Sequence, residues 1–371
     1  MKVCIVLSTR PEIIKFSPLI DVFKKKKINF FLVNTNQHYK KLMSKVFFNF
    51  FKIPKPQYNI KADTHSQINF FSKSIFSLEK IINKERPDIL IVQGDTNTAL
   101  SGCFAASLYN RRVQQKKQKI QIVHLEAGLR SYDNSMPEEI NRKLIDQLSE
   151  ILFVPTVFDL KNLKKEDLLK NKKIFRVGNT ISDVIKKYKH NPHEHKILEK
   201  LKIVKDTYYL LTLHRPETVD DINNLKKLLV YFEKIGQKYN KKFIFPVHPR
   251  TKKKISLFSN NKANFIRFIE PLEFIDFLNL IKNSSIVFTD SGGIQEETSL
   301  LGVPCITIRT TTERQVTLKE KSNILTGYNY NRILKAIEYF NQIKIKPSKI
   351  FGDGNVSSKI YIQLTKLFKK N

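Results

Sequence analysis

Residues 285–302 read SIVFTDSGGIQEETSLLG. Ser285 to Thr289 form a short, β-branched, apolar strand, Ser291-Gly292-Gly293 turns the chain, and a helix begins at once. A strand that passes directly into a helix is the repeating unit of a parallel sheet covered by helices, and the same alternation runs through the whole chain. Earlier strands are predicted at Val3 to Leu7, Phe30 to Asn34, Ile89 to Gln93, Ile120 to Leu125 and Ile151 to Pro155. A second set comprises Tyr208 to Leu213, Lys242 to Val247, Phe265 to Ile269, Ser285 to Thr289 and Pro304 to Ile308. Between the sets lie Arg176-Val177-Gly178-Asn179-Thr180 and a polar, His- and Lys-rich helix near Tyr188 to Lys202, which puts a domain boundary near residue 180. The expectation is an α/β protein of two Rossmann-like domains, 1–180 and 181–350, facing across a cleft. Its site should lie at the carboxyl ends of the strands. Residues 351–371 read as a turn, Gly352-Asp353-Gly354, and one amphipathic helix.

Composition narrows the function classes. A length of 371 residues with 41% hydrophobic content supplies two cores of ordinary size. No run of about 18 uncharged apolar residues appears, and MKVCIVLSTRPE reads as a strand entering Thr9, Arg10 and Pro11 instead of a secretion signal, so a cytoplasmic location and no membrane partner are expected. Cys4, Cys103 and Cys305 stand singly in apolar stretches, without disulfide or metal-ligand spacing. The net charge of +32 comes mostly from Lys in short runs such as Lys24 to Lys27, Lys116 to Lys119 and Lys252 to Lys254, some of them interrupted by Gln. These runs lack the interleaved aromatics of a base-stacking platform, so solvated faces are favoured over nucleic acid. A doubly negative diphosphate would still gain from the field.

Several segments carry chemistry. After the first strand, Arg10 and Lys15 place two cations at the start of a helix opened by Pro11, where an anion is favoured by free N–H groups; surface ion pairing explains them equally well. Ser291, Gly292 and Gly293 allow close approach of a phosphate to a helix start, and Glu297 one turn on is placed to accept from ribose hydroxyls, the alternative being a plain tight turn. Asp95 in QGDTNT and Glu126 in HLEAGLR fall at strand ends, at the mouth of the sheet. In MPEEINR a proline-started helix puts Glu138, Asn141 and Arg142 near one face, although acids at a helix start also serve only as dipole complements. His214 and His248 end successive predicted strands, each with arginine within two residues, and neither has a second ligand at metal spacing.

Taken in order, STRPEIIK, NTNQHY, QGDTNT, HLEAGLRS, MPEEINR, LHRPET, HPR, TDSGGIQEE and TTER resemble the non-hydrolysing UDP-N-acetylglucosamine 2-epimerase family. The resemblance runs from the first strand to GDGN near the C-terminus. It implies a glycosyltransferase-B (GT-B) arrangement, a final helix crossing back to the first domain, a homodimer, a UDP-sugar substrate, and no metal or redox cofactor. It further implies a UDP site of Arg10, Lys15, His214, Ser291, Gly292, Gly293, Glu297 and Arg314, with Phe277 near the uracil. Asp95, Glu126 and Glu138 would be the acids of an elimination and re-addition through a glycal, with His214 catalytic beside them at the diphosphate and Arg142 among the residues that bind the UDP-sugar. Ser8 stands where the family usually has Gly, Asn36 where many members carry a small residue, and Gln315 where proline is usual. Gln37 and His38 fall in a segment that binds an activating second substrate in some members, and Lys40 departs from their usual Gln.

Other readings share these residues. A relative acting on a diacetamido uronate or 6-deoxy UDP-sugar, and a hydrolysing enzyme releasing N-acetylmannosamine, differ from the main reading in their products. A GT-B glycosyltransferase would need an acceptor, and a basic nucleic-acid binder would show salt-sensitive retention of RNA or DNA.

Overall fold

The computed structural model describes residues 1–36, 41–62, 66–113, 119–190, 196–256 and 263–369. The chain divides into two compact units, Met1–Val184 with Ile350–Asn371, and Ile185–Lys349.

The first unit holds strands β1 (Lys2–Leu7), β2 (Asn29–Asn34), β3 (Tyr58–Asn59), β4 (Ile89–Gln93), β5 (Gln121–Leu125), β6 (Ile151–Val154) and β7 (Lys173–Arg176). They form one parallel sheet in the order β3-β2-β1-β4-β5-β6-β7. The chain starts in the middle, winds outward to β3, then returns to β4 and winds the other way, so the sheet has its switch point between β1 and β4. β1, β4 and β6 are almost wholly buried, as strands covered on both faces must be. Val6, Val33, Leu90 and Val92 pack with Leu78, Ile82, Cys103 and Ile145 from the covering helices. Pro18 lies inside the helix Arg10–Lys25 and has no N–H to offer the carbonyl of Ile14; Ser17 Oγ donates to that oxygen at 2.7 Å instead. The C-terminal helix Val356–Lys369 packs against Arg10–Lys25.

The second unit holds β8 (Tyr208–Thr212), β9 (Lys242–Pro246), β10 (Ile266–Ile269), β11 (Ile286–Thr289), β12 (Cys305–Thr307) and β13 (Asn323–Leu325), parallel in the order β10-β9-β8-β11-β12-β13. The winding is the same, with the switch point between β8 and β11. An aromatic cluster fills one face: the Tyr209, Phe232 and Phe243 rings each lie 5.1–5.8 Å from that of Phe288, in edge-on contact.

The ten predicted strands are present, each within one or two residues of its expected ends. β3, β7 and β13, outermost or near-outermost pieces of two to four residues, were not expected. Too few residues alternate in them to make a periodic signal, and pairing with a neighbour defines them. The single helix expected near Tyr188 to Lys202 is instead two, Ile181–Tyr188 and Lys196–Leu201.

Candidate functional site

In the first unit the switch point gathers loops from β1, β4 and β5. Glu12, fully buried, ties two of them together: its Oε2 accepts Ser8 N–H (3.1 Å), Thr9 N–H (2.7 Å) and Thr9 Oγ1–H (2.8 Å), and its Oε1 accepts Thr96 Oγ1–H (2.8 Å). Thr96 in turn caps the helix Asn97–Arg112 by accepting Ala99 N–H at 3.0 Å. The turn carrying Asp95 is thereby fixed to the turn carrying Arg10. Burial pushes the Glu12 carboxyl up to about 7 against the lowering effect of these bonds. Beneath Asp95, the buried His124 reaches Gly94 O with Nε2 (2.9 Å) and Asp146 Oδ1 with Nδ1 (2.7 Å).

Three ion pairs dominate this cluster. Lys15 Nζ lies 2.5 Å from Glu126 Oε1, both side chains under a tenth exposed. Glu126 also accepts Asn179 Nδ2–H at 2.7 Å and Gln93 Nε2–H at 3.5 Å. Its backbone is left-handed, φ +70°, which turns the residue out of β5 towards Gly94; a Cβ added there would sit 3.5 Å from Glu126 Oε2. Arg142 Nη2 meets Asp95 Oδ2 at 2.5 Å while Nη1 meets Glu139 Oε2 at 2.6 Å. Asn141 Nδ2–H donates to Asp95 O at 2.9 Å, docking the helix Pro137–Leu148 on the end of β4.

Glu138, at the second position of that helix, is half-buried and has no hydrogen-bond or ion-pair partner among the described residues. Its neighbour Glu139 is the anchor: fully buried, it accepts N–H from Ser131 (2.9 Å) and Tyr132 (3.0 Å), holding the HLEAGLRS loop to the helix. Arg10 lays its guanidinium 4.6 Å from the centroid of the Phe47 ring. Lys15, expected at a diphosphate, also serves as counter-ion to the deeply buried Glu126 carboxylate. Gln37, His38 and Lys40 lie outside the described residues.

In the second unit the loops after β8 and β11 meet. His214 Nδ1 lies 3.0 Å from Asp290 Oδ1, and the His214 and His248 rings stand 6.1 Å apart, as expected of two histidines ending neighbouring strands. The helix Gly292–Leu301 begins at the end of β11, and the Ser291 side chain does not cap it. At Gly293 an added Cβ would meet only Ser291 Oγ, at 3.9 Å, so the first helical turn is open to an approaching group there. At Gly292 the same atom would land 2.0 Å from Glu313 Oε1, so a larger residue there would have to push the Glu313 carboxylate aside. Arg314, 7% exposed, puts Nε 2.7 Å from the buried Glu296, and Arg309 Nη1 donates to Glu313 at 3.2 Å. Glu297 and Phe277 are half-exposed, Phe277 packing on the cluster that contains Ile294. Among the described residues no group of three His, Cys, Asp or Glu side chains is placed to hold a metal, and no helix is long and apolar enough to cross a membrane.

The family model for UDP-N-acetylglucosamine 2-epimerase matches residues 21–365. The chain belongs to the UDP-N-acetylglucosamine 2-epimerase family. This 2-epimerase family chain is 44% identical to the UDP-N-acetylglucosamine 2-epimerase of Methanococcus maripaludis, with 98% of each chain covered. Its identity to the enzyme of the same name from Methanocaldococcus jannaschii is 42%, covering 98% of this chain and 99% of that one. The crystal structure of the Methanocaldococcus jannaschii UDP-GlcNAc 2-epimerase in complex with UDP-GlcNAc and UDP matches with a TM-score of 0.88 at 41% identity, over 99% of this chain and 100% of that one. The family assignment and the parallel α/β fold expected from the sequence agree with these matches. Sequence reasoning missed the family chain's buried supports, Glu12, His124, Glu139, Asp290 and Glu313. Each stands inside or beside a quoted motif, and the available signal was a charged residue within an otherwise apolar strand end or helix start.

Proposed function

We propose that this chain inverts C2 of UDP-N-acetylglucosamine to give UDP-N-acetylmannosamine, by eliminating UDP and adding it back. The observation that carries the reading is the paired cluster Lys15–Glu126 and Arg142–Asp95 at the switch point, in a chain of this family. A carboxylate removes the C2 proton, the C1–O bond breaks with its electron pair leaving on UDP, and a C1–C2 double bond remains in a glycal. UDP then returns to C1 as a proton reaches C2 from the other face, so the sequence is redox-neutral.

The C2 proton is weakly acidic, and loss of UDP must drive its removal; groups that stabilise the departing diphosphate lower that barrier. Arg10, His214, Arg314 and the helix start at Ser291, Gly292 and Gly293 take this role, with Glu297 at the ribose and Phe277 at the uracil. Asp95, Glu126 and Glu138 share the proton transfers, since delivery to two faces needs more than one acid/base group. Lys15 and Arg142 orient their carboxylate partners Glu126 and Asp95 and add positive charge for the UDP-sugar. We further propose a cytoplasmic homodimer. Its support is an exposed apolar surface on three helices in successive contact: Ile68 (79% exposed) and Phe76 on Gln67–Glu85, Phe104 on Asn97–Arg112, and Ile140 and Leu144 on Pro137–Leu148.

Incubation with UDP-N-acetylglucosamine in heavy water, followed by NMR, tests the activity. One deuterium at C2 and appearance of UDP-N-acetylmannosamine, without any acceptor, are expected. Release of free N-acetylmannosamine would indicate the hydrolysing reaction, and absence of C2 exchange in a folded, UDP-binding protein would reject the proposal.

A further inference from the structure

Asp290 is the first residue past β11 and is fully buried. The parallel register pairs Thr289 with Thr212, so Asp290 comes level with the turn leaving β8, and its own N–H donates to Thr212 O at 3.3 Å. Oδ2 accepts the backbone N–H groups of His214 and Arg215, each at 2.9 Å, and Oδ1 lies 3.0 Å from His214 Nδ1. Burial works to raise the Asp290 pKa, but the His214 imidazole and the two backbone donors outweigh it and hold the carboxyl below its ordinary value. An ionised carboxylate offers only lone pairs, so this 3.0 Å contact favours the tautomer with hydrogen on Nδ1, and the other ring nitrogen faces away from Asp290. The imidazole is 42% exposed, so that outward edge is reachable.

We propose that Asp290 is the positioning residue of the anion site, fixing the ring plane and tautomer of His214 so that Nε2 is the atom presented to the diphosphate. The inference rests on the reading of His214 as a nucleotide-binding residue. Held this way, the ring turns Nε2 to the diphosphate, and a hydrogen on Nε2 beside Nδ1–H gives a charge-assisted hydrogen bond to the anion.

Asp290→Asn keeps the shape but has one oxygen, which the two backbone N–H groups require. Its amide nitrogen must then face Nδ1, and the ring hydrogen moves to Nε2. In protein labelled with 15N-histidine, with the His214 signals identified by their loss in His214→Gln, ligand-free wild type should show a protonated Nδ1 and Asp290→Asn an unprotonated one. UDP affinity, measured by calorimetry, should fall about tenfold in Asp290→Asn, because Nε2–H then donates from a neutral ring without the charge assistance that the Asp290 carboxylate supports. The same substitution in a His214→Gln background should change it less than about twofold, because Asp290 acts through the ring. Equal losses in both backgrounds, or an unprotonated wild-type Nδ1, overturn the proposal; should Asp290→Asn not fold, the wild-type nitrogen spectrum decides. If His214→Gln leaves UDP affinity unchanged, the nucleotide role of His214 fails and the ligand half of the proposal with it, while the nitrogen spectrum still decides the pairing.

Discussion

Glu126 shows what single residues contribute. Its φ of +70° is a conformation that side chains other than glycine adopt at a cost of about 1–2 kcal/mol, tolerated because Lys15, Asn179 and Gln93 hold the carboxylate where it is. Glu126→Gln preserves size and still accepts a hydrogen bond from Lys15, but it cannot take a proton. Deuterium incorporation at C2 should be lost while UDP affinity stays within about threefold, and thermal unfolding should report a loss of about 1–3 kcal/mol from the weakened buried pair. Unchanged exchange would remove Glu126 from the chemistry. Replacing Glu139 by Gln leaves Arg142 one fewer charged partner; its effect should appear in stability before it appears in UDP binding.

At the scale of elements, the site depends on how loop ends are tied to one another. Glu12 joins the turn after β1 to the cap of the helix after β4, and Asn141 joins that turn to the helix Pro137–Leu148. Because the Glu12 carboxyl in the folded protein titrates at about 7, against an ordinary 4.5, the folded state holds a proton that the unfolded chain has already released between those values. Its contribution is therefore present below about pH 4.5 and is lost as pH rises through 7, by up to roughly 3 kcal/mol. Urea unfolding at pH 5.5 and 8 should show this fall in the wild type, and Glu12→Gln should flatten it. A cap removed in Thr96→Ala should cost about 1 kcal/mol, and more if the bond to Glu12 matters. A flat wild-type profile would mean that Glu12 is ionised throughout.

For the molecule as a whole, three buried carboxylates set the acid limit. Burial would raise Glu139, Asp146 and Asp290, yet Ser131 N–H and Arg142, His124 and Arg130, and His214 respectively keep each below its ordinary value. Stability from these groups is present above the ordinary 4.5 of Glu and 3.8 of Asp and is lost as pH falls below them, and a net charge of +32 adds repulsion as further carboxylates protonate. Circular dichroism should record unfolding below about pH 4, at lower pH when salt is added. If the apolar helix surface is a dimer contact, Ile68→Asp with Phe76→Asp should halve the mass seen by sedimentation without changing UDP affinity. A wild-type monomer at micromolar concentration would reject the dimer. The sequence by itself determined the two parallel sheets and the family, because strand–helix alternation and motifs such as SGGIQEE and MPEEINR are properties of neighbours along the chain. It also marked Asp95, Glu126, His214 and the Ser291 to Gly293 turn, since strand ends can be read locally. Only the tertiary structure decided that Lys15 pairs with Glu126, that Glu139 and not Glu138 is the buried anchor, that Asp290 holds His214, and where the two- to four-residue strands β3, β7 and β13 lie. Those facts depend on which loops meet in space and on the need of each buried charge for a partner, and no periodicity along the chain records either.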